Sequence, residues 1–294
     1  WIEVTQIFGR LLDHEEKLTD PDQRRAWLIH VRRLCTSGTL RAIGLLIARQ
    51  RDMRDAGHRV LGWSGDLGAD VLLDLLTNSE HSGDRRAYRT AILSCPASVT
   101  PLMHMLDDDR WFVVRNAVEL LGELKATESD AKVAAALKHS DARVRRSAAT
   151  SLAKLATARA IPALLPLLND SSATVRLATV HGLSQLKSPR AVAALLPALD
   201  RESDVEVQQA IFGALASHPT DAAVERLAQA AQPGSILNRR SASMRLPAVH
   251  ALAEAGTAAA FSALRTLTTD RDREVRSAAE RLLGARAASI ANPR

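Results

Sequence analysis

The sequence predicts an all-α solenoid of stacked helix pairs, on three observations. The composition is 46% hydrophobic but only 3% aromatic, a bias toward Ala, Leu and Arg, which favour helices, and away from the residues that fill strands. An apolar pattern recurs about every 31 residues over most of the chain. Within each copy the pattern falls at i, i+4 and i+8, which lines it along one helical face. A length of 294 residues would otherwise suggest about two globular domains, but a repeat array lengthens without closing a new core each time.

The repeat is clearest in the second helix of each unit. Its apolar triplets are Val113/Ala117/Leu121, Val144/Ala148/Leu152, Val175/Thr179/Leu183, Val207/Ile211/Leu215, Met244/Ala248/Leu252 and Val275/Ala279/Leu283. Successive starts lie 31, 31, 32, 37 and 31 residues apart by subtraction of their numbers. Met53/Gly57/Leu61 fits the same frame 60 residues before Val113, leaving room for a weaker unit near Arg85/Arg89/Leu93 and a degenerate one around Trp27. The total is about eight or nine units.

First helices read Ala-x-x-x-Leu-Leu-x-x-Leu, as in Ala160 to Leu168 and Ala191 to Leu199. Pro162 suits a first turn, whereas Pro166 and Pro197 lie deeper and should bend the helix or end it early. Asp141, Asp204 and Asp272, each three residues before an aligned Val, are set to cap the second helices. Gly62, Gly65 and Gly68 read as a turn between two units, not as a phosphate loop.

Segments such as Asp109-Arg-Trp-Phe-Val-Val-Arg-Asn-Ala117, Glu119-Leu-Leu-Gly-Glu-Leu124 and Asp141-Ala-Arg-Val-Arg-Arg146 resemble HEAT repeats, specifically the short bacterial variety also found in phycobilin lyases. The resemblance covers about residues 50 to 285 and implies a right-handed superhelix. It also implies that an Asp and an Arg link neighbouring turns. HEAT-like proteins include scaffolds, adaptors, lyases and a few enzymes, so function is not implied by fold.

Arg follows the aligned position in Arg145, Arg176, Arg245 and Arg276, with Asp141 and Asp272 four residues before the first and last of these. Pairing at that spacing is favoured over a nucleic-acid stripe, and Gln208 replaces the Arg in one unit, leaving Asp204 to the cap alone. From Arg24 to Arg59 nine arginines face only Asp52 and Asp55, while Asp66 to Asp130 is acidic around Asp107, Asp108 and Asp109. The net charge of +6 bears on partners, not on fold. Cys35 and Cys95 have no metal-ligand spacing and read as reduced, half-buried thiols of a cytoplasmic protein. No apolar run is long enough to span a membrane. Because the first residue is Trp1 and not Met, the chain is expected to be a processed piece of a longer one.

No catalytic motif is present. The sole His-Glu pair, His14-Glu15, lies outside the repeat frame, which separates the chain from the deoxyhypusine hydroxylases that hold iron with such pairs. His181 and His250 share a position but lie two units apart, about 20 Å at ~10 Å per helix layer, too far to share a metal. The expected protein is therefore a non-enzymatic interaction scaffold without cofactor, its partner another protein. A tetrapyrrole-binding chaperone of the phycobilin lyase kind and a nucleic-acid binder are the alternatives.

Contact is expected on the second-helix row two and six residues past the aligned position, comprising Arg115/Glu119, Arg146/Thr150, Leu177/His181, Gln209/Gly213, Leu246/His250 and Ser277/Arg281. That row is mixed in charge and without stacking aromatics, which disfavours nucleic acid. The strongest candidates are Arg115, Glu119, Arg146, Thr150, Leu177 and His181. Arg239 and Arg240 join them from an insertion near 232–243 that accounts for the 37-residue step. The expected organisation is a degenerate Arg-rich repeat or cap over 1–50, an array over 51–285 and a tail over 286–294. A cap, or docking against another domain, would bury Trp1, Ile2 and Trp27.

Overall fold

The computed structural model describes residues 1–234 and 240–291. Among these residues the regular structure is entirely helical. The α-helices are α1 (Ile2–Lys17), α2 (Pro21–Leu34), α3 (Ser37–Arg49), α4 (Arg54–Trp63), α5 (Asp66–Asn78), α6 (Ser82–Leu93), α7 (Val99–His104), α8 (Trp111–Glu123) and α9 (Asp130–Ala135). They continue as α10 (Ala142–Leu155), α11 (Ala160–Leu164), α12 (Ala173–Gln185), α13 (Pro189–Arg201), α14 (Val205–Ser217), α15 (Asp221–Ala231), α16 (Ala242–Ala255), α17 (Ala258–Leu267) and α18 (Arg273–Ala291). From α3 onward, odd-numbered first helices alternate with even-numbered second helices, giving eight pairs in chain order and an all-α solenoid. The chain forms two compact units, Trp1–Val133 and Ala134–Arg294.

In the first unit α3 packs on α4 and α5, and α5 on α6. α1 lies against α4. The core is the aliphatic stripe predicted by the triplets, with Leu61, Leu72, Ile92 and Leu121 fully buried. Gly65 turns the chain between α4 and α5 at a φ of +63°, a conformation that disfavours side chains. Three residues on, a Cβ at Gly68 would overlap the Leu61 carbonyl oxygen, so the close approach of α4 and α5 requires glycine there.

The weak unit near residue 85 sits one residue earlier than the sequence suggests. Arg85 and Leu93 are exposed, while Tyr88 and Ile92 are buried, so the stripe is Asp84/Tyr88/Ile92. Its start lies 31 residues after Met53 and 29 before Val113 by subtraction. A tyrosine in the small-residue position obscured that frame.

At the amino-terminal end, Glu15 is buried and accepts hydrogen bonds from Trp63 Nε1 (2.8 Å) and Arg24 Nε (3.0 Å). Trp27 is half-buried, its indole N–H donating to the Leu11 carbonyl (3.4 Å). Trp1 and Ile2, which a cap would bury, are 60% and 39% exposed at the start of α1. α2 contributes only Val31 to the buried interior. Cys35 and Cys95 are buried free thiols, not half-buried ones, and burial raises the Cys35 thiol above its ordinary pKa.

In the second unit, second helices stack α10 on α12, α12 on α14, α14 on α16 and α16 on α18. Val144, Val175, Val207 and Val275 are buried as the frame requires, but Met244 is 56% exposed. The insertion precedes it, and its side chain stands at the rim of a small cleft with Phe212, Arg226 and Arg240. Pro166 ends α11 at Leu164, after which a 3-10 turn runs to Asn169. α13 instead continues through Pro197 to Arg201.

Candidate functional site

The second helices of residues 134–285 are held in register by a ladder at the turns that precede them. Five residues before the aligned Val, Asp170, Glu202 and Asp270 each accept the backbone N–H two residues on, from Ser172, Asp204 and Asp272. His139 Nδ1 does the same for Asp141 N–H at 3.0 Å. Each of the three carboxylates also receives an arginine from the preceding unit. Arg145 grips Asp170 through two bonds of 2.8 and 2.9 Å, Arg176 grips Glu202 at 2.7 and 2.8 Å, and Arg245 grips Asp270.

Arg145 and Arg176, together with Arg276, also tie off carbonyls at the ends of first helices. Arg145 Nη1 donates to His139 and Ser140 O, Arg176 Nη1 to Asp170 O, and Arg276 Nη1 to Asp270 O. Gln208 Nε2 reproduces this bond to Glu202 O at 2.6 Å. In the first unit Arg85 makes it to Ser79 and Glu80 O, which corroborates the shifted frame of α6.

The four-residue pairs expected from sequence do not form. Arg145 turns from Asp141 to Asp170 because Asp141 is already engaged by the N–H and guanidinium of Arg143. Those bonds hold the Asp141 carboxyl down to about 2. Asp272 likewise caps Glu274 N–H. The link between neighbouring turns implied by the HEAT resemblance is present. Its readable signal was an acid in frame 25 or 26 residues after each Arg.

The ladder presents a ridge of second helices. In the second unit its outward positions, two before and two and six after the aligned residue, are Ala142/Arg146/Thr150, Ala173/Leu177/His181, Val205/Gln209/Gly213, Ala242/Leu246/His250 and Arg273/Ser277/Arg281. Arg146, Thr150, His181 and His250 are exposed, and Leu177 and Leu246 half-exposed. Restricted to this unit these positions carry no carboxylate, while exposed Glu206 and Glu274 stand beside them, one residue before the aligned position. Between α16 and α18 it opens into a groove of about 460 Å³ lined by Leu246, His250, Arg273, Glu274, Ser277 and Arg281.

Arg115 and Glu119 belong to the first unit and are half-buried in a network of their own. Arg89 reaches Glu119 (3.4 Å) and Glu123 (2.6 Å), and Arg115 lies over the Trp111 ring (5.2 Å) and bonds Asn116 (2.8 Å). Arg240 is spent on the Gln229 carbonyl at 2.9 Å. Arg239 lies outside the described residues, as do residues 235–238 of the inserted loop. Among the described residues no group of three or more His, Cys, Asp or Glu is placed to hold a metal, and no helix is long and apolar enough to cross a membrane.

Repeated helix pairs, a triplet-lined core and an Arg-to-acid ladder have the layout of HEAT repeats over residues 134–285. In agreement, residues 131–216 and, overlapping them, 164–241 match the family HEAT repeats. No curated protein matches the sequence. Among solved structures, Escherichia coli YibA is similar with a TM-score of 0.50 at 16% identity, over 91% of this chain and 99% of that one. An engineered protein follows at 0.46 and 20% identity, over 95% and 87%. The complex of CpcE and CpcF of phycocyanin lyase from Nostoc gives 0.43 and 20%, over 74% and 94%. These likenesses concern fold alone.

Proposed function

We propose that this protein is a protein-interaction scaffold whose binding face is the second-helix ridge of residues 134–285. One observation carries the reading. Five successive second helices present a row of half-exposed apolar side chains and polar ones outside the ladder, while the arginines of the frame are consumed in it. Such a row, with an apolar middle and polar ends, has the layout of an interaction surface. Arg146, Thr150, Leu177 and His181 are its contact residues. Residues 51–285 act as the array and 1–50 as its amino-terminal end. Binding without catalysis, and cytoplasmic residence suited to two free cysteines, belong to the same reading.

The test is photo-crosslinking from a lysate of the native host, with the crosslinker placed at Leu177 or Gln209 on the ridge or at Glu225 on the first-helix side. One defined protein captured from both ridge positions and not from Glu225 is expected. The same products from all three positions would refute the assignment.

A further inference from the structure

We infer that the ridge recognises an acidic protein segment, and that the groove between α16 and α18 seats one of its carboxylates. This rests on the ridge being the binding face. The fifteen outward positions of α10, α12, α14, α16 and α18 include Arg146, His181, His250, Arg273 and Arg281 and no Asp or Glu. Exposed Glu206 and Glu274 flank these positions, so the face is net basic rather than free of acid, and it is complementary to negative charge.

The charge concentrates at one place. Arg273, Ser277 and Arg281 stand one turn apart on α18, facing Leu246 and His250 at neighbouring positions of α16. Arg281 Nε donates to the Ser277 carbonyl (3.3 Å), leaving the two terminal nitrogens for a ligand. Among the described residues neither Arg273 nor Arg281 has an ion pair, whereas the frame arginines Arg145, Arg176 and Arg245 each have one. Glu274 is the one carboxylate on the groove wall, so the donors outnumber it. A carboxylate fits the paired N–H geometry of guanidinium, and Leu246 offers an apolar seat to the adjoining residue.

Nucleic acid fits less well. A phosphate chain calls for cations on successive helices and aromatics for stacking. Here α12, α14 and α16 offer Leu177, Gln209 and Leu246 instead, which suit a chain that alternates acidic and apolar side chains.

Fluorescence anisotropy of a labelled twelve-residue peptide alternating Glu and Leu, titrated with the whole chain, tests the proposal. In the double variant Arg273→Gln/Arg281→Gln, with unchanged circular dichroism, the Kd should rise about tenfold, each exposed arginine contributing about three- to fivefold. A second variant, Leu177→Asp, weakens binding if the peptide runs along the ridge. Loss on Leu177→Asp with an unchanged Kd in the double Gln variant would overturn the groove and leave the ridge standing. The reverse pattern would uphold the groove and sink the ridge. No binding by the wild type, or tighter binding of an oligothymidine of equal charge, would overturn the acidic-protein assignment.

Discussion

Asp270 and Arg245 show how a repeat turn carries charge into its interior. Arg245 is 2% exposed, and its guanidinium is satisfied by Asp270 and by the Ala231 carbonyl at 2.7 Å. Burial opposes ionisation of Asp270, but Arg245 and the Asp272 N–H outweigh it, so the carboxyl lies below its ordinary value. Asp270→Asn leaves a buried cation without its anion and should cost about 3 kcal/mol in urea denaturation. Hydrogen bonds from Arg145 and Arg176 lower Asp170 and Glu202 in the same way. Because folding depresses these carboxyls, their contribution is complete above the ordinary values of 3.8 and 4.5 and is lost as pH falls through the lowered folded values. Urea midpoints should therefore drop between pH 5 and pH 2, less steeply in Asp270→Asn. An equal slope in that variant would remove Asp270 from the account.

At the scale of the element, α6 tests the repeat frame. Arg85 fastens the end of α5 through the Ser79 and Glu80 carbonyls, whereas the Arg86 side chain is exposed. Arg85→Ala should destabilise by about 1 kcal/mol and Arg86→Ala by less than about 0.5 kcal/mol. Equal effects would return the frame to where the sequence put it. Gly68→Ala should cost about 2 kcal/mol, since its Cβ meets backbone that cannot swing aside. α2, with one buried residue, should exchange its amide hydrogens well before α3, whose Leu40, Ile43 and Ile47 are fully buried.

Across the whole molecule, contacts join near neighbours, such as α14 with α12, α13, α15 and α16. Stability in such an array sums over local interfaces. Leu215→Ala, which empties a fully buried site on α14, should cost about 3 kcal/mol. Hydrogen exchange should place that loss in α12, α14 and α16 and leave α3 to α5 little changed. A uniform loss over the chain would show that it unfolds as one cooperative body.

Much of this was legible in the residues. Helix, repeat length and buried stripe follow from a period of 3.6 acting on Val, Ala and Leu, and the Asp caps follow from backbone donors left open at each helix start. These are local consequences, set within one or two turns of chain. Choosing among partners is different. The sequence offered Arg145 the Asp141 four residues before it, and only the stacking of one unit on the next brought Asp170 to it while Arg143 occupied Asp141. The placement of α6, the exposure of Met244 and the convergence of Arg273, Arg281 and His250 on one groove also depend on distances between helices. The sequence by itself therefore determined the repeat and its interior, because burial there depends on position within a helix. Tertiary structure decided the ion pairs and the charged face, because those depend on which helix lies alongside.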